Sequence, residues 1–420
     1  MRLIKTSILS LIATGIRVLS GLIINKAISI FVGPSGLAII GQFQNSLSII
    51  QAAAKGGINS GVTKYTAELR GDDKEIKSLW STALTFTLIC SGIISLILAI
   101  FSGKISYLIF NNNDYQYVIV ILSLSIVLFS VNQLLLSIIN GLKEVDTFMS
   151  IVIYQGIYSL FFTTLLIFLF SLEGALIALV TNQSVILVFI LFKLNKHKHI
   201  IKERFSIELS RVYLKKLVRY SAMAIISMLS MPLALIEIRD IISQNISLES
   251  AGYWQAMHYI SNTYLMLVTM LMGSYYLPRL SEIKSMKEIK KVILHHLSIA
   301  VPMLFIALGG VFLMKTIVIK MLFTESFNGM IPLFKWFLIG DFVRICSWFL
   351  SYLMLAKALM KMNIFSEMTL ALGYYLLSDL FILKYGLVGV TYAFFLNNVI
   401  YFFIVLMIFL YIKNNEKVYL

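Results

Sequence analysis

Long apolar runs dominate this sequence and decide what the chain can fold into. A helix needs about 20 mostly apolar residues to cross the hydrocarbon core of a bilayer. Of the 420 residues, 59% are hydrophobic and only 13% are charged, whereas a soluble domain carries about 25% charged residues. The sequence therefore predicts an all-α integral membrane protein. Twelve runs are long enough to span, at residues 7–32, 37–63, 80–102, 117–139, 148–170, 174–193, 218–243, 252–277, 293–314, 331–356, 364–383 and 387–412.

These predicted spans differ in polarity. The first, second, seventh, eighth and tenth carry more polar side chains than the others and have the lowest hydropathy. The first begins with MRLIKTSILSLIATG, which resembles a signal peptide, but Arg17 interrupts it and the apolar run continues to Phe31. We therefore interpret it as a transmembrane helix. The two cysteines, Cys90 and Cys346, lie in apolar runs and are expected to be small core residues; we expect no metal site and no cofactor.

The distribution of Lys and Arg predicts the orientation in the membrane. Cytoplasmic loops of membrane proteins carry an excess of these residues. With the N-terminus inside, most of the 35 Lys and Arg residues fall in inside segments, so both termini are expected in the cytoplasm. The same bias accounts for the net charge of +15 without a nucleic-acid partner.

The longest connection between spans is KLNKHKHIIKERFSIELSRVYLKKL, residues 193–217. Its apolar residues recur at helical spacing, which predicts a basic amphipathic helix on the inner leaflet; a solvated linker is the alternative. The connection divides the chain into a six-helix N-terminal lobe (1–193), a cytoplasmic linker with the amphipathic helix (194–216) and a six-helix C-terminal lobe (217–420).

Short segments of the two lobes match in the same order, which indicates an internal duplication. GLKEVDTF (141–148) matches ALMKMNIF (358–365), and GALIALVTN (174–182) matches GVTYAFFLN (389–397), at an offset of about 215 residues. An even number of spans per lobe gives both lobes the same orientation. The lobes are therefore predicted to be related by a pseudo-two-fold axis along the membrane normal, which favours an alternating-access transporter.

Five cations lie inside the predicted spans. A charge at the bilayer centre costs about 2.5–3.5 kcal/mol on insertion scales. Arg17 and Arg344 lie near the middle of their spans, so they must face protein or water. Lys26, Lys55 and Arg239 lie nearer the ends and can also snorkel to the interface. We predict that all five contribute to substrate binding in a cavity.

Polar and acidic residues accompany these cations. The predicted substrate-binding amides are Gln51, Gln255 and Asn262, and the candidates for proton or ion coupling are Asp341, His258 and Glu237.

Two of these roles have structural alternatives. Asp341 and Arg344 are at i, i+3, so an internal ion pair is the alternative for Arg344. A hydrogen-bonded structural role is the alternative for His258. Spans one, two, seven and eight carry most of the polar residues and are predicted to surround a central cavity, with the more apolar spans three to six and nine to twelve outside.

Cations on a cavity wall predict an anionic substrate. Arginine forks and lysine charges suit phosphate or diphosphate groups. The sequence contains no P-loop, and no nucleophile–base pattern rises above chance. We therefore expect a transporter and not an enzyme.

Several segments carry a family resemblance. They are GPSGLAIIGQFQN (33–45), KGGINSGVTKYTAEL (55–69), AGYWQAMHYISNTYL (251–265), YLPRLSEI (276–283) and GDFVRICSWFLSYLMLAKA (340–358). They resemble the bacterial polysaccharide-lipid flippases of the MOP superfamily. The chain is most similar to the O-antigen translocase branch and, within it, to the members that handle enterobacterial common antigen. The resemblance extends over essentially the whole chain.

This resemblance implies a MOP/MATE-like fold in the bacterial inner membrane. It implies that the chain moves an oligosaccharide linked to undecaprenyl diphosphate, either lipid III or an O-antigen repeat unit, from the cytoplasmic to the periplasmic leaflet. It further implies that Arg17, Lys26, Lys55 and Arg239 hold the diphosphate. The implied partners are this lipid-linked glycan, membrane lipids, and a downstream polysaccharide polymerase and chain-length regulator.

Two other functions compete with this one. A cation-coupled exporter of the multidrug type shares the duplicated twelve-helix plan, but it would prefer acids to bases in its cavity because its usual substrates are cationic. A membrane-embedded glycosyltransferase or polymerase would need a sizeable loop with a carboxylate or metal constellation, and the predicted outer loops are short.

Overall fold

A computed structural model of the chain describes residues 2–195 and 205–415, and this part is helical with no β-strand. The α-helices are α1 (Arg2–Phe31), α2 (Gly33–Ala54), α3 (Asn59–Glu68), α4 (Asp73–Ile100), α5 (Ser102–Phe110), α6 (Gln116–Gly141), α7 (Val145–Asn195), α8 (Arg211–Asn245), α9 (Leu248–Leu271), α10 (Leu277–Glu282), α11 (Met286–Leu313), α12 (Lys315–Leu322), α13 (Phe334–Ala356), α14 (Met360–Tyr385) and α15 (Leu387–Asn414). A π-helix (Met272–Tyr276) joins α9 to α10, and a 3-10 helix (Glu325–Leu333) precedes α13.

Apolar helices confirm the prediction of a multi-pass membrane protein. Seven helical stretches of the described residues are long and apolar enough to cross a membrane. The second, seventh and eighth predicted spans are not among them, as their polarity predicts. The eleventh is also missing, which the sequence analysis did not anticipate; α14 carries both Glu367 and Asp379.

The chain packs into two compact units. The first unit comprises residues Met1–Val32 and Ile39–Leu229, and the second comprises Gly33–Ala38 and Ser230–Leu420. The first unit thus extends past residue 217, where the sequence predicts the C-terminal lobe to begin, because Tyr213 and Leu217 are buried in its core. The start of α8 therefore belongs to the first unit.

The connection before α8 is not a continuous helix. Residues 205–210 are non-helical, and the backbone N–H groups of Ser206 and Ser210 donate to the hydroxyls of Ser81 and Thr82 at 3.0 Å each. These donors bond to α4 instead of to the preceding turn, which a helix would require. The amphipathic helix predicted within residues 194–216 is therefore wrong for 205–210, and its residues 196–204 lie outside the described part of the chain.

Each unit has its own apolar core. In the first, Trp80 is fully buried and donates its indole N–H to the hydroxyl of Thr66 at 3.0 Å. In the second, Tyr276 is buried against Phe349 and donates its hydroxyl to the carbonyl of that residue at 2.7 Å. Each bond gives a buried polar atom the hydrogen-bond partner that it would otherwise lack.

Positive φ angles occur in both units at positions that are 215 residues apart. Lys143 and Ala358 both have positive φ angles, of 57° and 54°, and they lie 215 positions apart. Ser171 and Gly386, with φ angles of 48° and 60°, are also 215 positions apart. Non-glycine residues rarely adopt positive φ, and three of these four residues are not glycine. Their recurrence at one offset therefore supports the duplication predicted from the sequence.

Two helices approach each other closely just after Ser171 in the first unit and just after Gly386 in the second. An ideal Cβ on Gly174 would lie 1.9 Å from the carbonyl oxygen of Leu166, and one on Gly389 would lie 2.1 Å from that of Phe381. These two contacts are again related by 215 positions. Ser171 breaks α7 at this turn, so the long α7 consists of two helices that pack like α14 and α15.

Candidate functional site

A polar groove opens within the first unit, among α1, α3, α6 and α7, and we call it the first-unit groove. Its volume is about 630 Å³, which is within the range of about 300–1,000 Å³ typical of small-molecule sites. Its walls are formed by Arg17, Ser20, Gly21, Ile24, Thr63, Gln133, Leu136, Ser137, Asn140, Phe148, Val152, Gln155, Gly156, Ser159 and Gln183. Most of these side chains are polar, although the helices that carry them are largely apolar.

Arg17 is the only charged residue among those lining residues. It lies in the middle of α1, and its side chain is exposed to the groove. Within the described part of the chain, its guanidinium makes no hydrogen bond, ion pair or ring contact. The guanidinium therefore lies beside a polar space, as the cost of burying a charge in hydrocarbon predicts.

Amide side chains hold the groove wall in place. The Gln133 amide donates to the side-chain oxygen of Gln183 at 2.7 Å, and Asn132 donates to the Gln183 carbonyl at 2.9 Å. From α3, the Asn59 amide donates to the Gln133 carbonyl at 3.1 Å and to the Ser137 hydroxyl at 3.0 Å. These bonds fix α3, α6 and the second half of α7 against one another, so the wall is preformed.

Hydropathy does not reveal this amide wall. The fourth, fifth and sixth spans are predicted to lie outside as the more uniformly apolar helices, yet Gln133, Gln155 and Gln183 of these spans line the groove, as does Asn140 just after the fourth. One polar residue per few turns hardly changes the hydropathy of a run. The available signal was the isolated amide in each apolar span, which becomes a cluster only after the helices pack.

The other predicted residues of the first unit do not line the groove. Lys26 is half-buried further along the unbroken helix α1. Lys55 caps the end of α2 and holds its ammonium 5.6 Å from the ring centre of Phe129, and Gln51 lies one turn before it. Of the three cations predicted in this unit, Arg17 lines the groove, whereas Lys26 and Lys55 are not among its lining residues.

Arg239 occupies the interior of the second unit. Its side chain is only 2% exposed, its Nη2 donates to the side-chain oxygen of Gln255 at 2.5 Å, and its guanidinium lies 5.3 Å from the ring of Trp254. Trp254 in turn donates to the hydroxyl of Tyr374 at 3.1 Å. The expectation that Arg239 can snorkel to the interface is therefore wrong, and its pairing with Gln255 brings two predicted residues together.

Asp341 and Arg344 form the internal ion pair that their spacing offers as the alternative to substrate binding by Arg344. Their nearest charged atoms, Oδ1 and Nη1, are 3.8 Å apart. Asp341 is fully buried, and its Oδ2 accepts hydrogen bonds from the hydroxyls of Ser261, at 2.6 Å, and of Tyr264. Arg344 also lies 5.2 Å from the ring of Trp348. This pair satisfies much of the charge of Arg344 within the second unit.

His258 and Asn262 do not share an environment, although their spacing places them on one helix face. His258 is buried among the rings of Trp254 and Phe337, at 4.6 and 5.1 Å, and its Nε2 has no hydrogen-bond partner within the described residues. Asn262 is exposed. Aromatic packing therefore surrounds the His258 ring on two sides, and its Nε2 does not provide a hydrogen bond of the kind that the structural alternative proposes.

Glu237 lines a second cavity, which lies between α8 and α14 and which we call the second-unit cleft. Its volume is about 660 Å³, and its walls are formed by Ser230, Leu233, Ala234, Glu237, Phe365, Met368, Thr369, Ala371, Leu372, Gly373, Tyr375 and Leu376. Apart from the exposed Glu237, this lining is mostly apolar. The two cavities therefore differ in chemistry as well as in charge.

Known proteins resemble this chain over nearly its full length. It is 25% identical to the lipid III flippase of Escherichia coli (strain K12) over 96% of this chain and 97% of that protein. Among solved structures, an inward-facing MATE multidrug transporter of the MOP superfamily matches with a TM-score of 0.79 at 15% identity, covering 96% of this chain and 95% of the other. The lipid II flippase MurJ matches with a TM-score of 0.73 at 17% identity, covering 99% and 91%.

The structural matches show that the chain shares the fold of these two proteins. The family described as polysaccharide biosynthesis protein matches residues 3–284, which is well over half of the sequence. That match includes all of the first-unit groove. The chain therefore belongs to the polysaccharide biosynthesis protein family.

Proposed function

We propose that the protein is a flippase of the bacterial inner membrane. It moves an oligosaccharide linked to undecaprenyl diphosphate, either lipid III or an O-antigen repeat unit, from the cytoplasmic to the periplasmic leaflet by alternating access. The observation that carries this proposal is the first-unit groove, where a cation and several amides face a polar space inside a membrane protein. The names of the lipid III and lipid II flippases that resemble the chain support the same function.

The architecture proposed for this flippase has twelve spans in two six-helix lobes related by a pseudo-two-fold axis along the membrane normal. Division of α7 at Ser171 yields two helices long enough to span, and the backbone features that recur 215 positions apart support a duplication. The distribution of Lys and Arg favours cytoplasmic termini.

Charge explains why such a substrate needs the groove. A diphosphate is strongly disfavoured in hydrocarbon, and fixed cations can replace its water. Arg17 is the primary candidate because its guanidinium has no protein partner within the described residues. Lys26, Lys55 and Arg239 are proposed as further contacts on the transport path. Arg344 is a weaker candidate because Asp341 already pairs with it.

The multidrug-type exporter has less support. The MATE transporter matches at only 15% identity, which speaks for the fold alone. A cationic drug would need an acid in its site, whereas the described lining of the first-unit groove includes Arg17 and no acidic residue. The sign of the charge therefore favours an anionic substrate.

Substitution of Arg17 tests the proposal. Full-length protein is reconstituted in liposomes with a fluorescent undecaprenyl-diphosphate oligosaccharide, and its transfer between leaflets is measured. Removal of a charge-assisted hydrogen bond costs about 1.5–3 kcal/mol, so Arg17→Ala should reduce transport about 10- to 100-fold. Arg17→Lys should retain part of the activity because the charge remains.

Arg279→Ala is the matched control. Arg279 is exposed, pairs with Glu282 at 3.6 Å and does not line the groove, so this variant should transport at the wild-type rate. Wild-type transport by a folded Arg17→Ala protein would refute the assigned role of Arg17. Failure of the wild-type protein to move the labelled lipid would refute the proposed function.

A further inference from the structure

The first-unit groove contains more hydrogen-bonding capacity than a diphosphate can use. A diphosphate only accepts hydrogen bonds, whereas an amide side chain both donates and accepts. Asn140 and Gln155 lie on the groove wall, and neither makes a side-chain hydrogen bond within the described part of the chain. Their carbonyl oxygens are acceptors that would not favour an anion. These amides therefore point to a ligand that carries its own donors as well as acceptors.

Because the chain is duplicated, the polar residues of the groove can be compared with the equivalent residues of the second unit. Four polar residues of the groove can be compared with the residues 215 positions further along, at the spacing that the recurring backbone features define. The counterparts of Arg17, Gln133, Asn140 and Gln155 are Pro232, Trp348, Leu355 and Leu370. All four of these counterparts are apolar, whereas Gln183 of the groove has the polar counterpart Asn398. The fold therefore does not require a polar side chain at these four positions.

The second-unit cleft shows the same contrast in three dimensions. It lies between α8 and α14, as the groove lies between α1 and the first half of α7, but Leu233, Phe365 and Leu372 dominate its walls. Asn140 is exposed and Gln155 is half-buried, so both amides can bond to water or to a polar ligand in the groove, whereas leucine at these positions could not. The first unit therefore keeps a polar space that the second lacks, which is expected where a polar ligand is bound.

The apolar part of the groove lining fits the same kind of ligand. Phe148 and Val152 lie one turn apart on α7, followed by Gln155 on the same face. An aromatic face beside amides can contact the C–H face of a sugar ring while the amides bond to its edge. The volume of about 630 Å³ accommodates a ligand larger than a single phosphate group.

We propose that the first-unit groove is a glycan subsite that binds hydroxyl- and acetamido-bearing sugar rings of the transported lipid. Asn140 and Gln155 form hydrogen bonds with the sugar, Phe148 packs against a ring face, and Arg17 binds the anionic group next to the sugar. This inference rests on the proposed function and adds a selectivity role: the first unit distinguishes a glycosylated prenyl diphosphate from a bare one.

Two probes separate the sugar from the head group. One is undecaprenyl diphosphate, and the other is the same lipid with a short oligosaccharide that contains an acetamido sugar. Binding of each to the full-length protein in lipid nanodiscs is measured for the wild type, Asn140→Leu and Gln155→Leu. Each lost hydrogen bond should weaken binding of the glycosylated probe about 3- to 10-fold, with no change for the bare lipid.

Gln116→Leu is the matched control. Gln116 bonds to Ser102 at 3.1 Å, away from the groove, so both probes should bind this variant as they bind the wild type. Arg17→Ala should weaken the binding of both probes, which distinguishes the charge contact from the sugar contacts. A thermal unfolding midpoint near that of the wild type confirms that each variant is folded.

The binding results distinguish failure of the subsite from failure of the proposed function. Equal losses for both probes in Asn140→Leu and Gln155→Leu, or no loss for either, would overturn the glycan subsite and leave the proposed function standing. Wild-type protein that binds neither probe would overturn the proposed function and this inference together. Selective loss of the glycosylated probe supports the subsite.

Discussion

Two glycines allow the duplication to be tested by stability measurements. Gly174 and Gly389 occupy equivalent positions, 215 apart, where one helix passes close to the end of the preceding one. A Cβ added at Gly174 would lie 1.9 Å from the carbonyl oxygen of Leu166, and one at Gly389 would lie 2.1 Å from that of Phe381. We predict that Gly174→Ala and Gly389→Ala destabilise their units by similar amounts.

The contact distances set the magnitude. The obstructing atoms belong to the backbone, so no side chain can rotate away, and the helices must separate by more than about 1 Å to restore van der Waals contact. Overpacking of this kind typically costs about 1–3 kcal/mol. Because the strain falls on a helix turn that cannot move independently, we expect about 3 kcal/mol for each variant.

Gly309→Ala provides the comparison. Gly309 lies within α11, and an added Cβ would meet no atom within 4 Å, so alanine should stabilise that helix by about 0.5–1 kcal/mol. Reversible unfolding of the purified variants in mixed micelles gives the three free energies of unfolding. If Gly389→Ala behaves like Gly309→Ala, or if only one of the paired variants is destabilised, the two turns are not equivalent and the reasoning fails.

Three other predictions concern single residues. Lys55→Ala should impair transport about tenfold, on the scale of one charge-assisted bond, while the amount of folded protein in the membrane is unchanged; leaflet transfer and gel filtration check both, and normal transfer would contradict the role. Asp341→Asn should remove any dependence of transport on a proton gradient, measured in liposomes with an imposed pH difference; a retained dependence excludes Asp341 as the coupling residue. Ser171→Gly should raise the free energy of unfolding by about 1 kcal/mol, because positive φ strains serine but not the equivalent Gly386. A decrease on chemical denaturation would show that the serine side chain stabilises the turn.

The sequence by itself predicted the features that depend on composition and on the spacing of residues along a helix. Apolar runs predicted a multi-pass helical membrane protein, and the family resemblance agreed with the family match over residues 3–284. The cost of a buried charge identified Arg17 as a residue that must face protein or water. The i, i+3 spacing of Asp341 and Arg344 indicated their ion pair as the alternative role of Arg344. Each of these inferences uses local information only.

Tertiary packing decided which polar residues meet. Gln133, Asn140 and Gln155 are single amides in separate apolar spans, so no local pattern links them, and only the packing of α1, α6 and α7 brings them around Arg17. Packing also buried Arg239, where Gln255 on the adjacent helix accepts a hydrogen bond from its guanidinium in place of water. Hydropathy averages along one helix, whereas a binding site is assembled across several, and this is why the sequence predicted the cation but not the groove around it.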